Sequence, residues 1–168
     1  RCETIVSFEH NNLKDLEAKL QLFKNKNIII SVESVYSMDG NVAPLTEICN
    51  LINRPEYKNK CNLIVDEAHS SGLYGTKGEG LVCELNLQTK VLCVIHTFGK
   101  SLGVHGAVMV GSNILKQYLI NYARPFIFST GLPMHSLYSI RASYDLLEEV
   151  YSTRKPLIFN LIQLFRRK

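Results

Sequence analysis

No run of five like charges occurs in this 168-residue chain, and its formal net charge is only +4. Extended electrostatic tracking of nucleic acid therefore finds no support in composition. The one dense basic cluster, Arg166-Arg167-Lys168, reads as a solvated terminus. No apolar run approaches the length of a membrane span; Ile28–Ile30 and Val91–Ile95 are strand-sized. No leader pattern opens the chain, because Arg1 is followed at once by polar residues. The opening residue is not methionine either, which reads as a piece of a longer protein. The five cysteines (Cys2, Cys49, Cys61, Cys83 and Cys93) form no C-x-x-C pair and have no histidine at zinc spacing. Scattered singly in apolar surroundings, they read as small buried hydrophobes in a reducing, cytoplasmic compartment. Internal repeats and low-complexity linkers are also absent.

What is present is an ordinary globular composition, 46% hydrophobic and 20% charged, at the length of one domain. Short apolar runs alternate with helical periodicity, the pattern of β-α-β units and a parallel-rich sheet with flanking helices, an α/β fold. Leu13, Leu16, Leu20 and Phe23 predict a helix capped by Asn12, and 27–32 predict a buried strand. Pro44 precedes a helix carrying Leu45, Ile48, Leu51 and Ile52. Further strands are predicted at 62–65, 91–95 and 106–111, with a shorter one at Phe126-Ile127-Phe128. Ser112 is placed to cap a helix bearing Ile114, Leu115, Tyr118 and Leu119. A long helix is predicted from Met134 to about Tyr151, ended by Pro156 and followed by a last amphipathic segment.

In open parallel sheets ligands bind beyond the carboxyl ends of the strands. The first strand runs into Glu33, Ser34 and a loop containing Ser37. The second runs into Asp66-Glu67-Ala68-His69, and the third into His96-Thr97-Phe98-Gly99-Lys100-Ser101. A carboxylate after one strand is commonly a cap or a solvated loop residue. Three strand ends sending carboxylates, hydroxyls, an imidazole and a lysine to one edge describe a polar pocket.

Two chemistries compete for this pocket. D-E-A-H after an apolar strand has the form of a Mg²⁺–nucleotide motif, and Gly99-Lys100-Ser101 has the form of the end of a phosphate-binding loop. That loop requires a glycine five residues before Gly99, where Val94 stands, and the two motifs occur in the reverse order. The second chemistry pairs an imine-forming lysine with an acid that keeps a pyridine nitrogen protonated, the requirement of pyridoxal phosphate (PLP). Asp66 ends an apolar strand, and Lys100 lies among Gly99, Ser101 and Gly103, small residues that let a cofactor approach the backbone.

The segments Ser34-Val35-Tyr36-Ser37-Met38-Asp39-Gly40-Asn41-Val42-Ala43-Pro44-Leu45, Val65-Asp66-Glu67-Ala68-His69 and Thr97-Phe98-Gly99-Lys100-Ser101-Leu102-Gly103 resemble the α-oxoamine synthases. So does the run Tyr122-Ala123-Arg124-Pro125-Phe126-Ile127-Phe128-Ser129-Thr130-Gly131-Leu132-Pro133. These are PLP-dependent transferases of fold type I that join an amino acid to an acyl thioester with loss of CO₂. The resemblance is nearest to the branch that uses L-alanine in biotin biosynthesis, although other branches, glycine C-acetyltransferase among them, share the motifs. It implies that Lys100 holds PLP as a Schiff base and moves protons at the substrate α-carbon, while Asp66 pairs with the ring nitrogen. It further implies that His69 and Ser37 lie near the phenolic oxygen and Thr97 near the phosphate. Ser129 and Thr130 would serve the phosphate of a neighbouring subunit in a homodimer. Glu33 is expected to orient the site. Residues 1–150 correspond to the central part of the PLP-binding large domain, and 151–168 to the truncated start of the small domain. The family's N-terminal stacking ring and glycine turn, and its substrate-carboxylate arginine, match nothing in this sequence, so these residues alone are expected to be inactive. An aminotransferase or aldolase of the same fold, using the same Lys100 and Asp66 on another substrate, is an alternative. A non-catalytic fragment kept for partner binding is the contrasting reading, and the presence of Lys100 speaks against it.

Overall fold

The computed structural model describes residues 4–167; Cys2 and Lys168 lie outside them. In chain order the elements are α1 (Leu13–Leu22), β1 (Ile28–Glu33), α2 (Leu45–Ile52), β2 (Cys61–Asp66), α3 (Leu81–Glu84) and β3 (Cys93–Thr97). They continue with β4 (Ala107–Gly111), α4 (Asn113–Tyr122), α5 (Arg124–Ile127) and α6 (Met134–Arg166). The strands form one sheet in the order β1-β2-β3-β4, with the first three parallel and β4 antiparallel to β3.

Strand periodicity builds the core. Side chains alternate across the sheet, so Ile30, Val32, Leu63, Val65 and Val94 share one face. They form a single cluster with Leu16 and Leu20 of α1 and with Leu45, Ile48, Leu51 and Ile52 of α2. Asn12 caps α1, its Oδ1 accepting the N–H groups of Lys14 (3.0 Å) and Asp15 (3.1 Å). Ser112 caps α4 through the Leu115 N–H at 3.2 Å. Both satisfy amides that a helix start leaves open. The described cysteines are free: Cys49, Cys61 and Cys93 are buried and Cys83 is partly so. Burial pushes the thiol of each upward, which suits packing and disfavours the reactive thiolate.

Two local expectations are corrected. Phe126-Ile127-Phe128 is not a strand, because Arg124–Ile127 forms the short helix α5 with Pro125 in its first turn. Proline lacks an N–H that the first turn would leave unpaired anyway, and its fixed φ suits a helix start. Pro156 does not end the long helix, and α6 runs without interruption from Met134 to Arg166. The proline deprives only the Ser152 carbonyl of its helical donor, and both residues are exposed, so water replaces the bond. The same helix passes position 150 unbroken. On either side of that position it is fastened to the rest of the fold, by Ser143 Oγ donating to the Leu102 carbonyl (2.5 Å) and Tyr151 Oη donating to the Gly75 carbonyl (2.7 Å). The short helix α3 carries no periodicity that a sequence reading detects. Among the described residues no helix is long and apolar enough to cross a membrane.

Candidate active site

Register aligns the strand ends. Glu33 lies opposite Asp66 in the β1–β2 pair, and Asp66 opposite Ile95 in the β2–β3 pair, two residues before Thr97. The loops that follow are tied together beneath this edge. Ser34, fully buried, donates its N–H to the Asp66 carbonyl at 2.8 Å, and its hydroxyl meets Ser70 Oγ at 2.8 Å. Ser101 donates its hydroxyl to the Ser71 carbonyl at 2.7 Å, joining the loop that carries Lys100 to the turn that carries His69. Gly72 sits at this junction with φ +82°, and a Cβ there would fall 2.7 Å from Ser101 Cβ. Only glycine lets the two loops meet so closely.

This scaffold brings Lys100 Nζ to 2.6 Å from His69 Nε2. An ammonium only donates, so with a charged Lys100 the imidazole carries its own proton on Nδ1. Asp66 Oδ1 accepts the Ala68 N–H at 2.8 Å, which orients the carboxylate and leaves Oδ2 available. Thr97 ends β3 with its hydroxyl buried and without a hydrogen-bond partner. Glu33 Oε2 accepts the Ser37 N–H at 3.2 Å, pinning the start of the first loop while the Ser37 side chain stays exposed. Glu33 thus orients the loop that carries Ser37. Ser129 and Thr130 are separate: both are exposed after α5, and the Ser129 hydroxyl donates to the Pro125 carbonyl. No described hydrogen bond joins either of them to Asp66, His69, Thr97 or Lys100.

Two ionisable groups in those strand-end runs received no role from the sequence. Glu67 is wholly buried, and its Oε1 accepts the Val82 N–H at 2.6 Å. Burial pushes its carboxyl up to about 7 against the pull of the Val82 and Leu81 amides, with Asp66 adding to the rise. His96 has Nδ1 2.8 Å from Ser71 Oγ, and burial holds its imidazole below the usual range although Asp66 pulls it up. The signal for both was strand alternation, which puts Glu67 on the inward face with Leu63 and Val65, and His96 with Val94. A cavity of about 760 Å³ lies on that inner side, with Glu67 and His96 in its wall. Asp66, His69, Thr97 and Lys100 do not line it, so it is separate from the strand-end residues.

Sheet and strand-end residues define a class: an α/β domain that gathers a lysine, an imidazole and a carboxylate where such sheets take small ligands. Within that class, the aminotransferase class I and II family model matches residues 1–167, and the chain belongs to that family. It is 40% identical over 153 residues to the 8-amino-7-oxononanoate synthase of Emericella nidulans, covering 86% of this chain and 37% of that protein. Among solved structures, it superimposes on a serine palmitoyltransferase from S. paucimobilis with bound PLP–myriocin aldimine, with a TM-score of 0.82 and 31% identity. That match covers 93% of this chain and 38% of the other. The 8-amino-7-oxononanoate synthase of Francisella tularensis matches with a TM-score of 0.68 and 31% identity, over 84% of this chain and 39% of that one. These relatives agree with the resemblance to α-oxoamine synthases seen in the motifs. The chain spans about 37% of the length of such a curated relative.

Proposed function

We propose that the whole protein is a PLP-dependent acyltransferase that condenses an amino acid with an acyl thioester, releasing CO₂ and the free thiol. The observation that carries this reading is Lys100 Nζ lying 2.6 Å from His69 Nε2, on the turn that starts from Asp66 at the end of β2. The donor set fits the cofactor on three counts. Lys100 offers a primary amine, Asp66 Oδ2 is available for a charge-assisted bond, and the buried Thr97 hydroxyl lacks a partner that a phosphate oxygen would supply. When bound, PLP supplies an electron sink that stabilises negative charge at a substrate α-carbon.

The chain's own residues then divide the work. Asp66 holds a proton on the ring nitrogen. Lys100 would hold the cofactor through its amine and would move a proton at the substrate α-carbon. His69, beside Lys100, would face the phenolic oxygen, and Ser37, on the loop that Glu33 pins, would join it there. The protein would work in the cytoplasm as a homodimer, with Ser129 and Thr130 reaching the partner's phosphate. Their exposure, and the absence of a described hydrogen bond from either to this chain's own cluster, support that assignment. In the whole protein, residues 1–150 would belong to the large domain, and α6 would carry the chain from there into the small one.

The motif resemblance, together with relatives named 8-amino-7-oxononanoate synthase, supports L-alanine and a pimeloyl thioester as the substrates, a step of biotin synthesis. A second reading, L-serine with a long-chain acyl thioester, draws on the serine palmitoyltransferase superposition. The test is to offer full-length protein alanine, glycine or serine with pimeloyl-CoA or palmitoyl-CoA and to follow CO₂ and thiol release. Alanine with pimeloyl-CoA is expected to turn over fastest. In Asp66→Asn, which keeps size but removes charge, the rate is expected to fall roughly a hundredfold or more. Near-normal turnover by that variant, or a wild-type rate that requires Mg²⁺-ATP, would overturn the reading.

A further inference from the structure

Glu67 is a carboxyl group that the proposed chemistry does not use, yet it occupies the centre of the site's foundation. It follows Asp66 directly, so alternation sends the two carboxyls to opposite sides of the sheet: Asp66 toward the ligand edge, Glu67 inward. Its backbone closes the turn that carries His69. The Glu67 N–H donates to the Ile95 carbonyl at 2.8 Å, and its carbonyl accepts the N–H groups of Ser70 (3.2 Å) and Ser71 (3.0 Å) and the Ser71 hydroxyl (2.8 Å). Its side chain reaches across to α3, where Oε1 accepts the Val82 N–H at 2.6 Å. Gly80 passes over the other oxygen with φ +111°, and a Cβ at that position would lie 1.6 Å from Oε2. Any side chain at residue 80 would therefore expel the carboxyl.

Oε2 itself is buried and has no hydrogen-bond partner. The ionisable groups around it are Asp66 on β2, Cys83 on α3 and His96 on β3, whose Nδ1 is 4.0 Å away. Burying an acid with one oxygen unpartnered is unfavourable. An apolar side chain packed against Gly80 would fill the space but leave the buried Val82 N–H without its acceptor. The carboxyl instead ties the residue to the start of α3, while its own backbone N–H and carbonyl bond β3 and the Ser70-Ser71 turn, so one residue joins all three.

We propose that Glu67 is a positioning residue for Asp66 and His69, fixing the turn that presents them to the cofactor by bonding it to the α3 amide. This rests on the PLP reading of the site and deepens it. The experiment uses full-length protein with Glu67→Gln, which keeps an acceptor for Val82, and Glu67→Leu, which removes it. PLP affinity is read from the cofactor's absorbance well below the melting temperature, so that changes belong to the folded protein. Glu67→Leu is expected to bind PLP roughly tenfold or more weakly, with Glu67→Gln restored to near the wild-type value. Amide hydrogen exchange on the cofactor-free samples gives a second readout: Ser70, Ser71 and Val82 are expected to exchange faster in Glu67→Leu and normally in Glu67→Gln. Wild-type exchange at these amides in Glu67→Leu, or unchanged PLP affinity in that variant, would overturn the proposal. So would a Glu67→Gln variant that binds PLP roughly tenfold or more weakly than wild type, and that arm decides the matter if Glu67→Leu does not fold. A wild type that takes up no PLP would instead refute the functional reading, and exchange alone would then judge the role of Glu67.

Discussion

Two neighbouring acids, Asp66 and Glu67, show how one peptide bond separates chemistry from scaffold. Asp66 was legible because it ends an apolar strand within a recognisable D-E-A-H run, and Lys100 because small residues surround it. Glu67 sits in the same run, but its importance depends on Gly80 and Val82 arriving from a four-residue helix that no periodicity announces. Its buried carboxyl also makes a pH prediction. Its value of about 7 in the fold lies above the ordinary 4.5, so between those limits the native state holds a proton that the unfolded state has released. Stability from this group is therefore full below about pH 4.5 and lost as pH rises to about 7. Glu67→Gln does not titrate, so its stability relative to wild type should improve by about 2 kcal/mol between pH 5 and pH 8. Denaturant melts at both pH values check this, and a difference that stays constant would show that Glu67 does not titrate in that window.

Among the elements, the parallel strands were readable because buried parallel strands leave uninterrupted apolar runs. α5 and the continuation of α6 were not, since both turn on how a proline is accommodated. Pro125 stands where a helix begins, and Pro156 faces solvent on a helix held elsewhere by tertiary bonds. The Tyr151 hydroxyl, on a side chain only 6% exposed, donates toward the carbonyls of Gly75 (2.7 Å) and Leu73 (3.2 Å) in the loop that follows His69. Ser143, two turns earlier, holds the Leu102 carbonyl in the loop that follows Lys100. α6 thus braces both site loops from outside the sheet. Tyr151→Phe keeps the ring and removes the donor, so it is expected to cost about 1–2 kcal/mol in unfolding free energy. Because Lys155 Nζ also reaches the Gly75 carbonyl, at 3.0 Å, a loss well beyond that range would mean that Tyr151 does more than supply these bonds.

For the molecule as a whole, the fold places at one edge what the sequence spreads over 68 positions from Glu33 to Lys100. The assignment of function depends on that convergence, and above all on which lysine takes the cofactor. The decisive measurement is borohydride reduction of the PLP-loaded full-length protein followed by peptide mass spectrometry. The account predicts that reduction abolishes the yellow band and leaves the phosphopyridoxyl mass on the peptide containing Lys100. An adduct on Lys90, Lys116 or any other lysine, with Lys100 unmodified, would contradict it.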